Sequence, residues 1–235
     1  MKKLFPILAL CLSAFTTQAA QAQEPVDEAQ ENTSHGRVKV SLRGGLNFAN
    51  IYISDSESGN ELKNRTAYNL GLLMDIPIER KWSIQTGLLL SSKGFKESED
   101  GNTIICTARY LEVPILFTYH NQFTIDADWQ LNIGPYLAYG IGGTTRLENP
   151  ESNSGVSLGV NTFGQLSTNK ASVGLNHFDA GFSLGTGFLI YQKLYIGFQA
   201  ELGIADILNH SGVSGWNDDY SARNRVLSIN IGYTL

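Results

Sequence analysis

The sequence predicts an all-β fold, an eight-stranded antiparallel up-and-down β-barrel that crosses a membrane with its strands. Three observations lead there. Apolar residues alternate with small, polar or charged ones at a period of two over eight segments. The connections between these segments alternate between short and long. No run of apolar residues reaches the length of a spanning helix, so a membrane role falls to strands.

Residues 1–22 combine Lys2 and Lys3, an apolar stretch from Leu4 to Phe15, and Ala20, Gln21 and Ala22 in a small-x-small arrangement. This is the pattern of a secretory signal peptide cleaved after Ala22. Cys11 does not read as a lipidated cysteine, because Leu10 is too large for the position before it and the apolar stretch continues past it. Cleavage leaves Cys106 without a partner, so no internal disulfide forms in the exported chain. The formal net charge of −5 becomes about −7 once the two lysines are removed, which argues against nucleic acid as a partner. Residues 23–36 are acidic and polar with no aromatic residue, as in a flexible periplasmic leader. Residues 37–235 then form the barrel domain.

The first barrel strand sets Val40, Leu42, Leu46 and Phe48 against Lys39, Ser41, Arg43 and Asn47. In the second, Tyr68, Leu70, Leu72 and Met74 oppose Asn69, Gly71 and Asp75; in the third, Trp82, Ile84, Leu88 and Leu90 oppose Ser83, Gln85, Gly87 and Ser91. The fourth sets Leu111, Val113, Ile115 and Phe117 against Glu112 and Thr118, and the fifth sets Trp129, Leu131, Ile133 and Leu137 against Gln130, Asn132 and Gly134. A hairpin around Tyr191, Gln192 and Lys193 supplies the sixth and seventh, with Phe178, Phe182, Leu184 and Phe188, then Leu194, Ile196, Phe198 and Leu202, on the apolar face. Its other face carries His177, Asp179, Ser183, Gln199, Glu201 and several glycines. Leu227, Ile229, Ile231 and Tyr233 mark the eighth.

Short connections are expected at residues 77–81, 121–128 and 191–193, and long polar ones at 53–65, 96–103, 142–176 and 206–222. Short turns at one end and long loops at the other match an outer-membrane barrel with its long loops outside. The apolar stretch 155–163 is expected to extend strands beyond the membrane. Aromatic residues on the apolar face gather at two levels: Trp82, Tyr119, Trp129 and Tyr233 toward the short turns, Phe48, Tyr68, Tyr139 and Phe178 toward the long loops. Such girdles suit the half-wet headgroup layers.

Tyr110 to Pro114, Gly134, Pro135 and Tyr136, Phe178 to Gly181 with Gly185, Thr186 and Gly187, and Asn224 to Leu227 leading to Gly232 and Tyr233 carry a family resemblance. In these motifs, and nearly throughout from Val38, the chain resembles the PorT-like outer-membrane β-barrel proteins of Gram-negative bacteria, also called the porin family. It departs from the usual pattern in ending on Leu235, where outer-membrane strands commonly end on Phe. The resemblance implies a barrel in the cell outer membrane and, for some members, a component of a protein-secretion system. Expected partners are outer-membrane lipid, the barrel-assembly machinery during insertion and an envelope protein of unspecified kind.

The polar face points to a structural charge network in the lumen, formed by Lys39, Arg43, Asp75, Glu112, Asp179 and Glu201; Lys93 lies on the same face. An eight-stranded barrel is just wide enough for side chains to fill it, so these charges must find one another. Lys39 is expected to pair with Asp75, and Arg43 to reach Glu112 or Glu201. His177, Asp179 and Ser183 share the expected lumen face, but their spacing lacks the arrangement of a hydrolase on a barrel wall. The histidines are scattered and Cys106 has no partner, so no metal site, catalytic group or cofactor is expected. The function predicted is that of a non-enzymatic envelope scaffold with surface loops for ligands or partners. A narrow passive pore and a soluble lipocalin-like binder of a hydrophobic ligand are the competing readings; the second requires the apolar face to line the interior.

Overall fold

The computed structural model describes residues 37–53, 63–99, 102–148, 158–163, 172–208 and 221–235. Its strands are β1 (Lys39–Ile53), β2 (Arg65–Glu79), β3 (Trp82–Glu99), β4 (Asn102–Thr124), β5 (Ala127–Glu148), β6 (Leu158–Phe163), β7 (Ser172–Leu175), β8 (Phe178–Ile190), β9 (Leu194–Gly203) and β10 (Ala222–Thr234). Eight of them close into a ring in the order β4, β3, β2, β1, β10, β9, β8, β5, with β5 paired back onto β4. Every ladder in the ring is antiparallel. First and last strands join from Ser41 opposite Thr234 to Ile53 opposite Ala222, which leaves the ring no free edge. The expected eight-stranded up-and-down barrel is the fold found. The expected signal peptide and leader fall outside the described residues.

Alternation decides which way each side chain points. Leu46, Ile133 and Phe182 are 53%, 53% and 55% exposed, whereas Lys93, Glu112, Asn132 and Asp179 are at most 1% exposed. The greasy face therefore points out and the polar face in, which rules out the lipocalin-like arrangement. The interior also takes Leu73, Leu89, Leu116, Leu189 and Tyr195, so the lumen is a packed mixture. Glycines make the room: a Cβ on Gly187 or Gly197 would strike the Tyr195 ring, which lies across both.

The short-turn end is built from tight hairpins. At the β8–β9 turn Tyr191 and Gln192 both take positive φ, and Lys193 N–H donates to the Ile190 carbonyl at 3.0 Å. Two non-glycine residues in that region cost energy, which the Gln192 side chain offsets by accepting from Lys39 Nζ at 2.6 Å and donating to Asp128. The aromatics of this end form an arc on adjacent strands, with Trp82 and Tyr119 centroids 5.0 Å apart and Tyr119 and Trp129 6.3 Å apart.

The long-loop end departs from the expected layout. Residues 96–103 are not a long polar loop: β3 and β4 continue as a ladder to Glu99 opposite Asn102. The β-branched run Thr103, Ile104 and Ile105 favours the extended chain there. Glycine suits position 94 in this ladder, since its φ of +132° and the Cys106 carbonyl beneath it both exclude a side chain. β5 likewise runs on to Glu148, and β6 pairs along its extension from Thr144 opposite Asn161 to Leu147 opposite Leu158. The apolar stretch expected to lengthen the sheet does so over Leu158–Phe163.

Candidate functional site

Four elements bring their inward residues together beneath the long-loop end. Lys93 hangs from β3, Glu112 from β4, Asp179 from the start of β8 and Glu201 from β9. The Lys93 ammonium lies 2.9 Å from Glu112 Oε2, 3.0 Å from Glu201 Oε2 and 3.3 Å from Asp179 Oδ2. Asp179 Oδ2 also accepts from Asn224 Nδ2 at 2.9 Å and from the Tyr136 hydroxyl at 3.4 Å. The Tyr136 ring turns its face to the ammonium, 4.2 Å from its centroid, with Tyr110 at 5.7 Å. A buried charge is tolerable only when paired and hydrogen-bonded; the ammonium pairs with all three carboxylates and donates a hydrogen bond to Asp179. The carboxylates outnumber it by three to one.

The expected partners are rearranged. Arg43 reaches neither Glu112 nor Glu201. Its guanidinium stacks 3.6 Å over the Tyr195 ring and donates from Nη1 to Gln85 Oε1 at 3.1 Å. Lys39 stands opposite Asp75 in register, yet its ammonium goes to Gln192. Asp75 instead accepts from Ser83 Oγ at 2.5 Å and lies 3.4 Å from His120 Nε2. The difference has one cause: Lys39 sits at the last turn of the ring, where a partner across the hairpin mouth lies closer than the inward carboxylate. Lys93, for which the alternation predicts only a facing, is the centre that binds the carboxylates.

Ser83, His120 and Asp75 look at first like a hydrolytic set, but both contacts of the imidazole use Nε2 and the hydroxyl is spent on Asp75. A triad needs the two ring nitrogens to serve different partners. His177 is not on the lumen face. It is exposed at the rim, stacked between Tyr139 (5.3 Å) and Phe163 (4.9 Å), with Nδ1 2.6 Å from the Gly140 carbonyl oxygen, while Asp179 and Ser183 point inward. Among the described residues no three His, Cys, Asp or Glu side chains gather in a metal-ligating arrangement.

Above the charges lies a lid that the alternation does not reveal. Phe163 at the end of β6, Leu175 at the end of β7, and Ile207 and Leu208 after β9 turn in over the mouth. Phe163, Leu175 and Leu208 pack on Cys106, Ala108, Tyr110, Tyr136 and Ala138 from the wall, and Ile207 packs on Ile51 and Ala222. Ala108 is the register partner of Lys93 and Ala138 that of Asp179, so the apolar layer rests directly on the cluster. A side chain on Gly140 would occupy the place of the Phe163 ring. Asn176 sews the two loops together, its N–H donating to Ile207 O at 2.8 Å and its Nδ2 to Leu208 O at 2.6 Å. Asp206 Oδ1 accepts from Leu208 N–H and Ala222 N–H, each at 3.0 Å.

Below the charges the lumen is filled by an amide and hydroxyl ladder. Asn47 Oδ1 accepts from Asn69 at 2.6 Å and Ser228 at 2.8 Å, and Asn69 also donates to Asn230 at 3.0 Å. A void beside Arg43, Glu112 and Glu201 has room for about one water molecule.

The predicted girdle residues Trp82, Tyr119, Trp129 and Tyr233, and Phe48, Tyr68, Tyr139 and Phe178, all stand on the outward face. Trp129 Nε1 donates to Thr186 Oγ1 at 2.8 Å, and Tyr139 faces Phe178 across the β5–β8 ladder.

Three solved structures resemble the chain at low sequence identity. The attachment invasion locus protein Ail of Yersinia pestis, in complex with the heparin analogue sucrose octasulfate, is 14% identical, covering 85% of this chain and 100% of its own, with a TM-score of 0.39. Neisserial surface protein A is 8% identical over 85% and 100% (TM-score 0.41), and OprG from Pseudomonas aeruginosa 13% identical over 86% and 97% (TM-score 0.41). No curated protein matches the chain in sequence. The sequence profile of the family described as "Outer membrane protein beta-barrel domain" matches residues 20–209. With that match over a closed ring that is polar within and apolar without, the chain belongs to the outer membrane protein β-barrel domain family, and its place is the outer membrane.

Proposed function

We propose that the protein is a non-enzymatic, non-conducting scaffold of the outer membrane whose long-loop end meets ligands or partner proteins at the cell surface. One observation carries the reading: the lumen is blocked along its length, first by the Lys93 cluster and then by the apolar lid of Phe163, Leu175, Ile207 and Leu208. An ion passing this barrel would have to leave water, cross an apolar layer and displace a paired ammonium. Each step costs several kcal/mol. The PorT-like resemblance supports a finer reading as a secretion-associated component exported by the signal peptide at residues 1–22. In that reading the barrel-assembly machinery inserts the chain and an envelope protein binds it afterwards.

Planar-bilayer recording tests the proposal. The purified barrel is expected to leave the bilayer at its baseline conductance, and a steady, large open level would refute it. Cross-linking in native envelopes followed by pull-down identifies the partner at the long-loop end.

A further inference from the structure

Above the aliphatic belt the outward face of β10 changes character. Read from the short-turn end, its outward residues are Tyr233, Ile231, Ile229, Leu227, Arg225 and Arg223. On β1 next to it, Phe48 of the upper girdle stands opposite Leu227, and Tyr52 stands opposite Arg223. The Arg225 guanidinium lies 4.2 Å over the Tyr52 ring. Among the described residues no carboxylate comes within ion-pair distance of either arginine. Two outward cations thus begin one step above the girdle, where acyl chains give way to head groups. Arg223 stands about 7 Å further along the strand than Arg225.

We infer that Arg223 and Arg225, with Tyr52 holding the lower guanidinium, form a binding site for the phosphate groups of a phosphorylated glycolipid in the leaflet on the long-loop side. The inference rests on the membrane reading above and names the lipid. A guanidinium presents a planar fork that matches two phosphate oxygens, and stacking on Tyr52 fixes its direction before the lipid arrives. The belt of Leu227, Ile229 and Ile231 directly below takes the acyl chains of the same molecule. A phospholipid places its single phosphate at one level close to the acyl boundary, whereas a glycolipid with a sugar between chains and phosphate reaches both arginines.

The test uses the full mature chain folded in zwitterionic detergent and a fluorescent lipid A. R223Q/R225Q is expected to bind lipid A roughly thirtyfold more weakly than the parent, and dephosphorylated lipid A to bind the parent as weakly. R223K/R225K, which keeps the charge and loses the fork, is expected to fall between, and R80Q at the short-turn end to match the parent. Unchanged binding by R223Q/R225Q, equal binding of the dephosphorylated lipid, or equal competition by phosphatidylglycerol overturns the assignment. Far-UV circular dichroism verifies that each variant is folded. A parent that fails to insert into vesicles refutes the membrane reading itself, while a parent that inserts beside an unaffected R223Q/R225Q refutes this site alone.

Discussion

Replacing Lys93 by methionine removes the one cation that three buried carboxylates share and keeps most of the side chain's volume. At about 3 Å and an effective dielectric constant near 20, each ammonium–carboxylate contact is worth about 5 kcal/mol of Coulomb energy. The mutual repulsion of Glu112, Asp179 and Glu201 and the desolvation of the ammonium cancel most of that sum. What survives is the cost of leaving buried charge uncompensated, about 3–5 kcal/mol when one partner of a buried pair is lost. The upper end is expected here, because the three carboxylates are left facing one another beneath an apolar lid, with room beside Glu112 and Glu201 for about one water molecule. Equilibrium unfolding in urea from phospholipid vesicles, followed by tryptophan fluorescence and by heat-modifiable gel mobility, measures the loss. The quadruple variant K93M/E112Q/D179N/E201Q removes all four charges and is expected to recover most of it, since neutral side chains can bond to one another and to Tyr136. A loss below about 1 kcal/mol in K93M, or a quadruple variant weaker than K93M, would refute the claim that the ammonium holds these strands together.

Two further outcomes follow from the packing. F163A removes a ring that fills the space over Gly140 and Tyr110, so it is expected to cost about 3 kcal/mol. It should also make Cys106, fully buried under the lid, react with a water-soluble maleimide that leaves the parent unlabelled; equal labelling of both proteins would show that the lid does not seal. I229R puts a charge at mid-height on the lipid side and is expected to cost about 2–4 kcal/mol in vesicles. If it folds as stably as the parent in vesicles, the outward face does not meet hydrocarbon.

The facing of nearly every barrel strand is legible in the sequence, because alternation at a period of two is a local property that survives closure of the ring. The hairpin from Phe178 to Gly203 shows this, with its glycines and acids inside and its leucines and phenylalanines outside. The expected loop at residues 96–103 fails for a local reason read too loosely. Lys96, Glu97 and Ser98 look like solvent-facing loop residues, but the ladder continues where polar residues also suit a strand that has left the membrane. The lid residues Phe163 and Ile207 carry no periodic signal, since they lie in connections whose path is set by where the wall ends.

Sequence alone determined the class of fold, the outward greasy belt with its aromatic margins, and most of the charges enclosed by the wall, Lys39 at the hairpin mouth excepted. Each follows from residues close together in the chain. Only the closed ring decided which charge meets which: Lys93 and Asp179 lie 86 positions apart and come together through the stagger of eight strands. That stagger is adjusted by the bulge beside Tyr110. A shift of one register step would carry the Lys93 ammonium to the other face of the wall. The pairing is therefore a property of the assembled barrel, since no single strand contains the geometry that selects it.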